Sequence, residues 1–427
     1  MDRRTFLFGT AGTAVAAFAG AWALRPADQG AGGHDAYFQR LSEALREHGL
    51  GRPTMLVDLD RLDRNTDAVV SAVAPRHYRV VAKSLPSAPL MDHIMKRSGT
   101  RRLMVFHQPF LNAVAAAHAT ADVLIGKPLP VAAAGRFYAR HAPGAFDPSR
   151  QLQWLIDTPE RLRQYAELAR GRGLQLQVNV EIDVGLHRGG LRAPRELVEM
   201  LRAIEAEPRL TFRGLMGYDP HVAKLPDLLG SQAREFERVQ ARYRSFLDAW
   251  RAHGGGSGEE ELLLNAAGSP TYPFWRQVDG IANDISAGSG LVKPLDFDLD
   301  SLSDLVPALF VATPVLKAWD GLHVPGFESV GRLQRLWNPN RARTFFVYGG
   351  YWMARPVSPP GLSENPIFGH STNQEMLNGS ARVELGVDDY VFYRPTQSEF
   401  VMLQFGEIAA VRGGRIIDFW APLDQRA

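Results

Sequence analysis

Between about Pro53 and Ala287 the chain alternates short apolar runs with longer stretches in which apolar positions recur every three or four residues, the pattern of strand followed by helix. Strand-like runs stand at 54–57, 78–82, 103–106, 123–125, 152–156, 176–184, 210–218 and 262–265. The helical stretches between them carry clear boundaries. Thr158, Pro159 and Glu160 open one of them, Leu162, Tyr165, Ala166 and Ala169 follow at helical spacing, and Gly171 is the expected stop. Pro194 opens another, with Leu197, Leu201 and Ile204 on one face, and a longer one from Ser231 aligns Phe236, Val239, Tyr243, Phe246 and Trp250. The glycine-rich stretch 253–258 reads as a helix-to-strand connection because the alternation resumes at Leu262. Eight such units without a hairpin signal favour a closed parallel barrel over a doubly wound sheet.

Past about Pro294 the pattern changes to strands: 309–316, 344–351, 390–394 and 400–405, with a hairpin over 411–417. The predicted fold is therefore α/β, a (β/α)8 TIM-type barrel followed by a mostly β C-terminal domain. The expected organisation is a leader over 1–25, a linker and N-terminal helix over 26–48, the barrel over 49–293 and the β domain over 294–427.

One strand is unusual in its polar face. Val178, Val180, Ile182 and Val184 alternate with Asn179, Glu181 and Asp183, and a glycine-rich turn with Arg188 follows. In a closed barrel such a polar face points into the lumen, and ligands are held at the C-terminal strand ends.

Bulk composition narrows the function classes. At 427 residues the chain exceeds the usual size of one hydrophobic core. Its 45% hydrophobic and 22% charged content is that of an ordinary globular protein, and a net charge of +2 gives no footprint for nucleic acid. Cysteine is absent, which excludes disulfides, thiolate metal sites and cysteine nucleophiles. Arg3-Arg4-Thr5-Phe6-Leu7 followed by a small, apolar run to Leu24 resembles a twin-arginine leader, so export through that machinery to the periplasm is expected, the alternative being an uncut membrane anchor.

Candidate chemistry gathers at strand ends. Lys83 closes an apolar run, where an amine held among apolar groups is available to attack a carbonyl. Gly268-Ser269-Pro270-Thr271 and Gly288-Ser289-Gly290 are late loops of the kind that cradle phosphate, their glycines admitting backbone N–H groups and their hydroxyls adding donors. An aldehyde-capturing lysine, a phosphate cradle and an arginine between them describe pyridoxal phosphate (PLP).

With the opening 53–60 and Asn65, the Arg79-to-Lys83 spacing, Glu181-Ile182-Asp183-Val184-Gly185 with Arg188, and Gly217-Tyr218 with His221, the chain resembles the fold-type III PLP enzymes. The likeness is to the D-threonine aldolase and D-serine dehydratase branch of the alanine racemase-like barrels. That resemblance implies covalent attachment of PLP to Lys83, Arg188 facing the ring nitrogen and leaving it largely unprotonated, and Arg79 and Tyr218 among the cofactor contacts. It further implies a phosphate site from Gly268, Ser269, Thr271, Gly288 and Ser289, with His221 as acid or base. The family places a divalent metal through His-x-Cys or His-x-Asp, and here that stretch reads Gln397-Ser398-Glu399; Glu399 can offer oxygen to a hard cation, and Gln397 is a poor ligand.

The expected activity is retro-aldol cleavage of a 3-hydroxy-D-amino acid to glycine and an aldehyde. The alternatives are a racemase or a D-serine dehydratase-like lyase in the same site, or a non-catalytic periplasmic PLP-binding protein. A homodimer is expected from the resemblance.

Overall fold

The computed structural model of the protein describes residues 25–255, 262–322, 337–365 and 369–426. The expected leader over 1–25 falls, but for Arg25, outside the described residues. The chain divides into two compact units, each continuous in space but not in sequence.

The described residues of Val57–Leu309, Thr396–Val411 and Asp418–Ala427 form the larger unit. After the strand β1 (Thr54–Asp58), eight parallel strands close a barrel: β2 His77–Val81, β3 Arg102–Val105, β4 Asp122–Ile125, β5 Leu152–Ile156, β6 Leu176–Ile182, β7 Leu210–Gly217, β8 Leu263–Ala266 and β9 Asp284–Ala287. Ring closure comes from β2 against β9, with Arg79 opposite Ser286 and Val80 opposite Ala287. The barrel was expected, but not all of its strands. The run 54–57 is buried throughout, as a barrel strand would be, yet it lies in the other sheet. The true eighth strand, β9, is four residues with polar Asp284 and Ser286 inward, which in sequence reads as loop.

Helix boundaries follow their caps. Thr158 accepts the N–H of Arg161, Pro159 occupies the first turn, and the helix Pro159–Arg172 ends at Gly173 in a left-handed conformation, two residues beyond the expected Gly171. In the helix Pro194–Glu205, Glu196 reaches back to accept from the N–H groups of Arg192 and Ala193. Val81, Met104, Leu124, Leu155, Met216 and Leu263 fill the barrel lumen with a buried apolar layer, against which Phe106 and Tyr218 pack.

The second unit comprises the described residues of Met1–Leu56, Phe310–Pro395 and Arg412–Ile417. Its strands are antiparallel: β10 (Leu309–Asp320) pairs β11 (Arg343–Tyr348), and β12 (Ala354–Ser358) precedes β13 (Ser363–Glu364) and β14 (Gln374–Gly379). β11 pairs β14, β14 pairs β13, and β15 (Tyr390–Pro395) pairs both β10 and β12. The helix Ala36–Glu47 packs here through Phe38, whose ring lies 5.3 Å from Phe310 and 4.8 Å from Phe392. Residues 26–33, the start of the expected linker and N-terminal helix, are clipped to this unit. Asn340 donates to Ala27 O (2.7 Å) and accepts from Gln29 N (2.8 Å), and Gly32 bridges to Val383.

Two late segments complete the picture. The expected hairpin is present as Ile408–Arg412 and Arg415–Trp420, turning through Gly413 and Gly414 at φ of 58° and 76°. The expected strand over 400–405 is a 3₁₀ turn, Val401–Leu403, started by a Met402 N–H to Ser398 O bond of 3.2 Å.

Candidate active site

β2 ends at Val81, and a single 3₁₀ turn, Ala82–Ser84, carries Lys83 onto the C-terminal mouth of the barrel. A cavity opens there. Lys83 Nζ stands 2.9 Å from Glu399 Oε1 and 4.8 Å from the centre of the Phe106 ring. Lysine and glutamate side chains are each just over a third exposed, so the amine is held by a carboxylate rather than stranded among apolar groups as the sequence suggested.

Arg188 reaches the same cavity through a folded-back turn after β6. Asp183 accepts from Gly185 N (3.0 Å), His187 N (2.9 Å) and His187 Nδ1 (2.7 Å). Burial opposes the ionised form of Asp183, but these donors win and hold it below the usual carboxylate range. Leu191 returns to pair with the strand end, donating to Glu181 O and accepting from Asp183 N. Gly190 permits that return: at φ 88° a Cβ there would stand 2.7 Å from Ile182 C. Arg188 is thereby laid over the face of Tyr218, 4.9 Å from guanidinium carbon to ring centre. Burial pushes the Tyr218 hydroxyl above its ordinary range, against the pull of Arg188. Burial, and then the charge of Asp157, push Glu181 up to about 7 despite Arg188.

The remaining wall is a run of hydroxyls and glycines from β8, β9 and the Lys83 turn. Ser269 Oγ accepts from both Gly288 N and Gly290 N at 2.9 Å, and Ser289 Oγ donates to Ser84 Oγ at 2.8 Å. Gly268 must lack a side chain, since a Cβ would meet Tyr218 Cε2 at 2.6 Å. Lys83, Arg188, Tyr218, Gly268, Ser269, Gly288, Ser289 and Glu399 thus all line one cavity, as the sequence reading required. Ser84, Phe106 and Phe297 join them; Ser84 was legible as a hydroxyl next to the lysine.

Four predicted site residues lie elsewhere. Arg79 is fully buried deeper in the lumen, where Nε and Nη2 bond both oxygens of Asp284 at 2.8 and 3.0 Å and Nη1 bonds Asp122 Oδ1 at 2.9 Å. It is a structural cation; two residues short of Val81 on the same face, it stops one layer below the cavity. His221 is turned away by the Asp219-Pro220 step and lies behind Gly185, with Glu235 Oε1 3.4 Å from its Nε2. It does not line the cavity, and its ring nitrogens are buried without a hydrogen-bond partner among the described residues. Thr271 donates to Asp219 Oδ1 at 2.6 Å and accepts from Gly268 N, so its hydroxyl braces the turn instead of facing the cavity. Asp219, overlooked in the sequence, also accepts from Trp275 Nε1 at 2.8 Å. Burial raises its pKa against those two donors.

Gln397 turns its amide to Asp296 Oδ2 (3.1 Å), while Glu399 faces Lys83. These donors do not converge, and among the described residues no three His, Cys, Asp or Glu side chains are grouped to hold a metal. The residues present do not fit the expected divalent cation.

Comparison with known proteins agrees with this architecture. A family model described as the alanine racemase N-terminal domain matches residues 57–278. A 3-hydroxy-D-aspartate aldolase from Paracoccus denitrificans is 28% identical over 142 residues, 33% of this chain and 35% of that protein. The match therefore spans about a third of that relative's length. Among solved structures, D-threonine aldolase from Filomicrobium marinum superposes with a TM-score of 0.69 at 18% identity, covering 88% of this chain and 98% of that one. D-threo-3-hydroxyaspartate dehydratase from Delftia sp. HT23 gives 0.68 at 17% identity, covering 87% and 97%. At these identities the structural likeness shows the fold. The family model covers more than half of the chain and both sides of the cavity from Lys83 to Gly268, and the chain belongs to the alanine racemase N-terminal domain family.

Proposed function

We propose that this chain is a PLP-dependent enzyme that cleaves the Cα–Cβ bond of a 3-hydroxy-D-amino acid, releasing glycine and an aldehyde. The carrying observation is that one cavity holds the amine of Lys83, the guanidinium of Arg188 and a wall of serine hydroxyls and glycines. That donor set fits the cofactor. The hydroxyls of Ser84, Ser269 and Ser289 suit a phosphate, with Gly268 and Gly288 leaving room for it, Lys83 Nζ suits an aldehyde, and Arg188 a ring nitrogen. Family membership and the names of the relatives support the same reading.

When bound, PLP supplies an electron sink for the pair left at Cα. Lys83 Nζ would hold it covalently, and the freed amine would return a proton to Cα. Arg188, stacked on Tyr218, would offer its guanidinium to the ring nitrogen. Glu399 Oε1 accepts the β-hydroxyl proton; the O–H electron pair becomes the carbonyl of the leaving aldehyde as the Cα–Cβ pair passes to Cα. Met104, Phe106, Met216 and Phe297 keep the reacting bond away from bulk water.

Epimerisation needs a proton-moving group on each face of Cα. Among the described residues lining the cavity, Lys83, Glu399 and Tyr218 can each move a proton, so the products decide between cleavage and racemisation. The test is product analysis after incubating the PLP-loaded protein with D-threonine. Glycine and acetaldehyde are expected, and Glu399→Gln should lower their rate about 10²- to 10⁴-fold. L-threonine epimers, or ammonia with a keto acid, would replace this reading by racemase or dehydratase; no turnover at full cofactor occupancy would remove it.

A further inference from the structure

We propose that Glu399 makes the cavity select against amino acids with an acidic side chain, so that the accepted substrates carry a neutral or cationic group at Cβ. The inference rests on the function proposed above and departs from the relatives whose names specify 3-hydroxyaspartate. Among the described residues that line the cavity, the charged side chains are Lys83, Arg188 and Glu399. Arg188 lies on the Tyr218 face and, in the function proposed above, would be engaged by the cofactor ring nitrogen. Lys83 works as a nucleophile only without its proton, and in that state it offers no charge to a second carboxylate. No described cation of the lining is then left for an acidic side chain, whereas the Glu399 carboxylate stays beside the reacting carbon.

Glu399 is also held in place. Thr396 O accepts from Asp296 N at 3.1 Å, and Ser398, fully buried, donates to Ser289 Oγ at 3.4 Å. On its other side the 3₁₀ turn Val401–Leu403 begins. Those contacts anchor the backbone on both flanks of Glu399, and the Lys83 amine 2.9 Å away directs its carboxylate into the cavity. If its Oε1 takes the β-hydroxyl proton, a carboxylate on the same Cβ comes within a few ångströms of it, and like charges at that range in a partly exposed site weaken binding by about tenfold or more.

The experiment uses the protein with PLP attached at Lys83, titrated by calorimetry with D-asparagine and with D-aspartate, which lack the β-hydroxyl that cleavage needs. D-glutamine and D-glutamate serve as a second matched pair. We expect the neutral member of each pair to bind at least about tenfold tighter, and Glu399→Gln to shrink the gap to about threefold or less. Equal or tighter binding of the acidic members, or a gap that Glu399→Gln leaves unchanged, overturns the inference. So does absence of binding by all four to protein whose visible cofactor band is intact. Failure of the cofactor to attach is recognised separately by the missing band, and that result fells the proposed function along with the inference.

Discussion

Arg79 and Lys83 stand four residues apart, yet they occupy opposite physical regimes. Arg79 has no exposed surface, and every arm of its guanidinium is engaged by Asp284, Asp122 or the Leu103 and Asp122 carbonyls. Burial opposes its charge, but Asp284 and Asp122 more than compensate and raise its pKa; the same pairing, with Arg102, holds Asp284 below the usual carboxylate range despite burial. Among the described residues Lys83 has one carboxylate partner, Glu399, with an aromatic face and an open cavity in front of it. The saturated layer keeps the barrel closed, while the unsaturated layer above it has bonding capacity left for a ligand. Charge in a barrel lumen therefore marks a site only where its hydrogen-bond capacity is unspent.

Substitutions at the two positions should separate these roles. Lys83→Ala removes the amine entirely, so covalent cofactor attachment, followed by borohydride reduction and mass spectrometry, should be lost, while the melting midpoint changes little because the side chain is over a third exposed. Arg79→Met should do the reverse. It strands Asp284 without its main partner in the lumen and should cost about 3–5 kcal/mol in denaturant unfolding, with attachment at Lys83 retained in the folded fraction. Equal stability losses from both substitutions would dissolve the contrast.

Glu181 tests the boundary between the layers. It shares the lumen face of β6 with Asn179, and its pKa is raised from 4.5 to about 7 in the folded protein. Between those values the folded chain retains a proton that the unfolded chain has lost, so Glu181 makes stability fall as pH rises, with the full penalty above about 7. Glu181→Gln should therefore stabilise the protein by about 1–3 kcal/mol at pH 8 and by little at pH 5, as read from unfolding curves at the two pH values. A gain independent of pH would mean that Glu181 is not the group responsible.

Much of this was legible in the chain. Strand-helix alternation identified the barrel, and residues just past strand ends identified the cavity, because a parallel barrel presents its C-terminal ends to ligand. What failed did so for definable reasons. Arg79 shares the spacing and face of a cofactor contact, and only its depth, two residues short of Val81, makes it structural. His221 follows Tyr218 closely in sequence, but the inward turn of Asp219 separates them. Asp219 escaped notice because its partners, Thr271 and Trp275, are 52 and 56 residues away. β1 and β9 were confused because burial on both faces, not barrel membership, is what an apolar run encodes.

The central claim is that unspent bonding capacity at the barrel mouth is a PLP site centred on Lys83. Its most direct test is the visible spectrum of the protein mixed with PLP, before and after borohydride, followed by peptide mass mapping. The account predicts a visible band that bleaches on reduction and a pyridoxyl adduct on the peptide containing Lys83. A protein that stays colourless with PLP, or an adduct on another lysine, would contradict it.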